Sequence, residues 1–330
     1  MILKINKYLI NKMKINILLS FLLIFSAFSI SLNTNELVNY INNLHTTWRA
    51  KPYERDIRPL LGTYRSPPPK KYPFKKFNSK RNDLPENFDL REAFPNCESI
   101  KEIRDQSNCG SCWAFGAAET MSDRLCIHSN STLQTRVSAI HLVSCCSDCG
   151  NGCNGGWPIA TFEFWETFGI PSGGLYNTTD TCKPYPFPPC QHGNGCEGLQ
   201  DTPECTETCI SEYPVPLEKD LSFGLTTYYV SGEENIMQEI YENGSVEGAF
   251  DVYDDFRVYS EGIYQHKTGS YLGGHAIKII GWGVENNVKF WIVANSWNVD
   301  WGEKGFFRIL RGSDECGIED YVATGMPKIE

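Results

Sequence analysis

A cysteine at the start of a helix is a candidate nucleophile, and this chain places one at Cys112. It lies in the run Gln106-Ser107-Asn108-Cys109-Gly110-Ser111-Cys112-Trp113-Ala114-Phe115. From there Ala114, Ala117, Ala118, Met121 and Leu125 recur at steps of three and four, one apolar helical stripe. Cys112 then falls in the first helical turn, where orphan backbone N–H groups and the helix dipole favour an anion. A thiolate is such an anion, so the position favours a lowered pKa and a reactive sulfur. The competing reading, a Cys-x-x-Cys redox pair of Cys109 and Cys112, calls for a short βαβ unit, and none surrounds it.

A thiolate needs a base. Of the histidines His45, His128, His141, His192, His266 and His275, only His275 opens a buried-strand pattern, Gly273 to Gly283. A lone histidine there reads most simply as a satisfied core residue. Twenty residues on, Phe290 to Ala294 reads as a second strand, ending in Asn295-Ser296-Trp297. An amide that fixes the imidazole tautomer, under an indole, completes a nucleophile, base and orienter set for a cysteine hydrolase.

With these residues in order, the chain resembles the papain family of cysteine proteases, and within it the cathepsin B group. The narrower resemblance rests on Ile103-Arg104-Asp105-Gln106, Cys153-Asn154-Gly155-Gly156, Val246 to Phe250, Gly281 to Asn286 and Trp301 to Phe307. It covers nearly everything from about Leu37 onward. It implies a catalytic set of Cys112, His275, Asn295 and Gln106, the last an oxyanion donor, with Trp297 as shield. Gly155 and Gly156 would take the substrate backbone, Tyr321 would floor the second specificity pocket, and His192 would be the surviving loop histidine. Tyr321 stands where cathepsin B has a glutamate, so an apolar or aromatic P2 residue is expected. Where the family has Gly after the oxyanion Gln, this chain has Ser107; a positive φ there would strain it.

Of 14 cysteines, a free nucleophile leaves an odd number, so at least one more is unpaired. The resemblance implies that this is Cys316, with pairs Cys97–Cys126, Cys109–Cys153, Cys145–Cys205, Cys146–Cys149, Cys182–Cys209 and Cys190–Cys196. Closely spaced Cys145, Cys146, Cys149 and Cys153 also suit a zinc site, the alternative reading of that loop. So many cysteines point to an oxidising compartment.

The elements that carry these residues follow from composition and pattern. Residues 1–31 put Lys4, Lys7, Lys12 and Lys14 before the apolar run Ile15 to Ile30, a signal peptide rather than a signal anchor, since Ser20, Ser26 and Ser29 break the run. Residues 32–83 hold 11 Lys+Arg against 4 Asp+Glu, a balance of +7; residues 84–330 hold 15 against 36, a balance of −21. Leu37, Val38, Tyr40, Ile41, Leu44 and Trp48 read as an amphipathic basic helix seeking an acidic partner. The resemblance makes it a prosegment with Leu61-Gly62-Thr63 crossing the cleft; a solvated linker helix is the plainer alternative. Leu84 resembles a mature N-terminus. Residues 84–222 read as mainly helical, with an occluding-type loop over 182–209; 223–315 read as strands; 316–330 close the chain.

The expected fold is therefore α+β and papain-like: a helical left subdomain, a β-barrel-like right subdomain and a cleft between. The expected protein is a monomeric thiol peptidase made as a zymogen, chiefly an endopeptidase with weak dipeptidyl carboxypeptidase activity. Its partners would be protein and peptide substrates, its own prosegment and cystatin-type inhibitors. It would need no cofactor and no metal, bind no nucleic acid, and leave the membrane after signal cleavage for the lysosome or the exterior. Asn130, Asn177 and Asn243 open N-glycosylation sequons. The rival class is a silent papain-like fold that binds peptides or adhesion partners, which would usually have lost a member of the set.

Overall fold

The computed structural model describes residues 32–77, 81, 83–190 and 198–329. The element at its centre is the helix α2 (Cys112–His128), preceded by α1 (Thr34–Asn43) and followed by α3 (Ala139–Cys145), α4 (Pro158–Phe168) and α5 (Glu233–Asn243). Its residues are buried on every face from Cys112 through Cys126, not along a single stripe. The reason is its position, wedged between α3 and α4 on one side and the sheet on the other. Its two most deeply buried charges, Asp123 and Arg124, are paired. Arg124 meets Glu239 at 2.9 Å, Asp123 meets Lys278 at 3.0 Å, and Ser245 Oγ donates to Asp123 at 2.8 Å.

The sheet holds β1 (Trp48–Ala50), β2 (Phe88–Asp89), β3 (Tyr228–Val230), β4 (Val246–Tyr253), β5 (Tyr259–Tyr264), β6 (Tyr271–Glu285), β7 (Val288–Ala294), β8 (Phe306–Leu310) and β9 (Val322–Thr324). Its order is β1-β5-β8-β7-β6-β4-β9-β3, with β2 added on β6. The path has two ends, so the sheet is open and does not close into the barrel expected of the right subdomain. The longest strand, β6, is buried from Gly274 through Gly283 and carries His275 beside β4, with Phe250 directly opposite.

Within 32–83 the helix ends at Asn43, and Trp48 belongs instead to β1, antiparallel to β5. Tyr40 and Leu44 are exposed; Leu37 and Ile41 form the buried face. The structure joins Cys97 to Cys126, Cys109 to Cys153, Cys145 to Cys205, Cys146 to Cys149 and Cys182 to Cys209. Cys190 is disulfide-bonded, and the residue expected to pair with it, Cys196, lies outside the described residues, as does His192. Cys112 and Cys316 are free. With the Cys145–Cys153 loop oxidised, its sulfurs cannot serve as zinc thiolates. Among the described residues no helix is long and apolar enough to cross a membrane.

Candidate active site

Cys112 is the first residue of α2, and its side chain is fully buried. What covers it comes from 32–83. Gly62 N–H donates to Cys112 Sγ at 3.3 Å and the Thr63 hydroxyl lies 3.2 Å from it. The N–H of Ala276, next to His275, also reaches the sulfur. These contacts favour a thiolate, but burial outweighs them and pushes the thiol's pKa up. The sulfur in this closed form is a neutral thiol.

His275 is fully buried on β6, and burial lowers its pKa to about 4, only partly offset by its bond to Asn295. That bond joins His275 Nε2 to Asn295 Oδ1 at 2.7 Å. An amide oxygen only accepts, so Nε2 must donate, which leaves Nδ1 of the neutral ring with its lone pair free. Nδ1 is buried and makes no hydrogen bond. The Trp297 ring lies 4.6 Å from the imidazole, tilted by 32°. Asn295 is held in turn by the Ser296 N–H, 2.8 Å from the same Oδ1.

Gln106 Nε2 donates to Leu60 O at 3.0 Å and to Cys109 O at 2.8 Å. These two carbonyls can only accept, which fixes the flip of the amide, and Oε1 in turn accepts from Ser296 Oγ at 2.8 Å. The carbonyl of Leu60 therefore sits on a donor suited to a developing oxyanion. Ser107 has φ +53°, the left-handed region that its resemblance to a glycine position warned of. It is held there by its N–H to Asp105 Oδ1 at 2.7 Å and by Arg55 Nη2 on its carbonyl at 2.5 Å.

The segment over the sulfur is clamped as an added strand. Gly156 N donates to Gly62 O at 2.8 Å, Tyr64 N to Gly156 O at 3.0 Å, and Thr63 N to Gly274 O at 3.1 Å. A Cβ on Gly62 would run into the Gly110 carbonyl, so only glycine brings the backbone this close to the nucleophile. Gly155, at φ +112°, lies under Tyr64, whose ring packs edge-on to Trp157. Gly155 and Gly156 thus line an extended chain, here residues 62–64.

Tyr321 stands apart from this set. It is 55% exposed and packs against Tyr229 and against Phe74 of the 32–83 segment. Asn130 and Asn177 are exposed, whereas Asn243 is half-buried at the end of α5 with Ser245 of its sequon fully buried. Asp105 accepts from Cys190 N at 2.7 Å and Asn298 Nδ2 at 3.0 Å.

Several contributors had little or no signature in the sequence. Arg55 buries its guanidinium 4.0 Å from Asp105, and Tyr185 donates from its hydroxyl to Gln106 O at 2.8 Å. Ser296 orients the Gln106 amide; lying between Asn295 and Trp297, it alone had a signal.

Comparison with known proteins agrees with this geometry. Residues 84–326 match the model of the papain family of cysteine proteases. Cathepsin B-like cysteine proteinase 6 of Caenorhabditis elegans is 46% identical over 319 residues, 90% of this chain and 84% of that one. A cathepsin B-like cysteine proteinase of Schistosoma japonicum is 44% identical over 311 residues, 89% of this chain and 91% of that one. The structure of procathepsin B S9 from Trypanosoma congolense superposes with a TM-score of 0.79 at 38% identity, covering 90% of this chain and 99% of that one. A thiol at a helix start, an amide-held imidazole and relatives of this closeness lead to one conclusion: the chain belongs to the papain family of cysteine proteases and is a cysteine peptidase of cathepsin B-like build.

Proposed function

We propose that the chain is the latent precursor of a thiol endopeptidase, with residues 32–83 as its inhibitory prosegment and Leu84 near the start of the mature enzyme. The observation that carries this reading is the seating of Leu60 to Thr63, which occupies the sulfur and the Gln106 amide together. In the open enzyme Cys112 transfers its proton to Nδ1 of His275, and the thiolate attacks the scissile carbonyl. The Gln106 amide and the Cys112 N–H stabilise the oxyanion where charge develops. His275 protonates the leaving amine and then activates the water that cleaves the thioester. Asn295 keeps the ring in the required tautomer, and Trp297 keeps water from that bond.

The test is labelling by an epoxysuccinyl thiol inhibitor before and after acid treatment. One modified residue, Cys112, appearing only after treatment, is expected; no labelling of treated protein would favour the silent peptide-binding reading. A Cys112→Ser precursor should stay uncut when purified. Endopeptidase over dipeptide release is read by mass spectrometry of a blocked decapeptide against its free-acid form, with internal cuts dominant in both. The basis is a loop with one histidine, His192, where two would bind a terminal carboxylate. A secretory route to the lysosome or the exterior fits the leader and the disulfides, and cystatin-type inhibitors fit the cleft.

A further inference from the structure

Two residues beyond Thr63, the side chain of Arg65 is seated against the body of the enzyme. Its Nε donates to Asp251 Oδ1 at 2.9 Å, its Nη1 to Ala249 O at 2.8 Å and its Nη2 to Gly317 O at 3.2 Å. Each nitrogen of the guanidinium therefore has its own acceptor, one of them charged, a match for a planar fork that a lysine ammonium cannot reproduce. The seat belongs to the catalytic wall. Ala249 and Asp251 lie on β4 opposite Ala276 and Gly274 of β6, the two residues that flank His275. A Cβ on Gly274 would meet Arg65, so the glycine also makes room for the arginine stem. The surroundings are acidic as well: Asp314 feels Asp251 and Asp320 beside it, with Arg65 as the opposing charge.

We propose that Asp251, with the carbonyls of Ala249 and Gly317, forms an arginine subsite of the mature peptidase, filled by Arg65 in the precursor and by a substrate arginine within two residues of the bond cut. The proposal rests on the reading that residues 32–83 leave the cleft. It moves the charge decision away from position 321. The sequence expectation of an apolar second pocket rested on Tyr321 carrying no charge; Asp251, on another strand, supplies one. The two side chains that meet here keep about a third of their area in solvent, Arg65 27% and Asp251 34%, so the recognition depends on the three-acceptor geometry and not on the charge pair alone.

The test uses the mature enzyme and a peptide library with the three positions on each side of the scissile bond randomised. At one position within two residues of the cut, kcat/KM for Arg should exceed that for norleucine by about ten-fold or more, with Lys between. Asp251→Asn should lower the Arg-to-norleucine ratio by about ten-fold and Asp251→Glu should largely retain it. A ratio within one variant cancels any loss of folded protein. An Arg preference that survives Asp251→Asn, or wild-type enzyme that cuts Arg and norleucine peptides alike, overturns the subsite while leaving the peptidase intact. Wild-type enzyme that cuts neither overturns the peptidase reading itself.

Discussion

Gln106 and Ser107 are neighbours with opposite relations to stability and catalysis. The Gln106 amide has its oxygen committed to Ser296 and its nitrogen to carbonyls, so it is already oriented before substrate arrives. Preorganised donors of this kind are worth about 10²–10³ in kcat, so Gln106→Ala should lower kcat by that factor and leave KM nearly unchanged. Steady-state kinetics on the matured variant checks it, and a change in KM alone would deny the role. Ser107 carries the left-handed conformation that Cβ makes costly. Ser107→Gly should relieve it, gaining about 0.5–1 kcal/mol after the extra chain entropy of glycine. Thermal melting of both precursors would show it, and a lower midpoint for the glycine variant would mean that the Ser107 Oγ, 3.7 Å from Cys190 Sγ, matters more than the strain. The residues proposed for catalysis could be picked out in the sequence because each has a distinctive type next to a distinctive element. Asp251 and Arg55 were not, because a carboxylate on a strand or a guanidinium in a linker acquires its role only through contacts 186 and 52 residues away.

At the scale of elements, residues 32–83 are held far from Cys112 as well as over it. Trp48 is 1% exposed, its ring 5.2 Å from that of Tyr264 and 6.1 Å from that of Tyr259, and its Nε1 donates to Gln265 O at 3.0 Å. Around it β1 extends the sheet past β5. Deleting a buried Trp ring costs about 3–5 kcal/mol, so a 32–83 peptide with Trp48→Ala should inhibit the mature enzyme roughly a hundred- to several-thousand-fold less well. Inhibition constants for the two peptides test this; equal values would assign the affinity to residues 60–65 alone. The sequence placed Trp48 at the end of a helix, and its spacing from Leu37, Ile41 and Leu44 does suit one. After Asn43 the chain turns through His45 at φ +49°, and Trp48 then pairs with Gly262 of β5, a long-range contact that no local pattern contains. For the same reason β9, three residues long, and β5, interrupted by Gly262 at φ +94°, left no periodic trace, while the long β4, β6 and β7 did.

For the whole molecule, the proposed release of residues 32–83 in acid needs a trigger. The basic segment meets the acidic body at Arg55–Asp105, Arg65–Asp251, Lys70–Glu163, Lys75–Glu239 and Arg81–Glu242. His275 looks like the obvious trigger, since burial holds its pKa near 4 in the closed form and exposure would return it toward 6.5. The proton count says otherwise. Closed, the pair is a neutral thiol and a neutral imidazole, one proton between them; open, it is a thiolate and an imidazolium, again one proton. Opening moves that proton within the pair and takes up none, so the pair adds no pH dependence above the range where the thiolate itself protonates. Glu163 and Glu239, both held low in the closed form, do take up protons. Burial raises Glu163, but its bonds to Lys70 and Tyr72 outweigh that and hold it below its ordinary value, and both partners belong to residues 32–83. A lowered carboxylate supports the closed form above its open-state pKa and loses that support as pH falls through its depressed value. Glu239 behaves likewise, though Arg124 stays with it after Lys75 departs. Inhibition of wild-type mature enzyme by a 32–83 peptide should therefore stay level from about pH 7 to 5, weaken below about pH 4.5, and weaken with salt throughout. Binding to a Cys112→Ser enzyme, followed by anisotropy, should already weaken from about pH 6.5 downward, because a lone imidazole freed from the closed form takes up its proton from solvent. A wild-type midpoint near 6.5, or profiles that coincide for Cys and Ser, would show that opening does not transfer the thiol proton to His275.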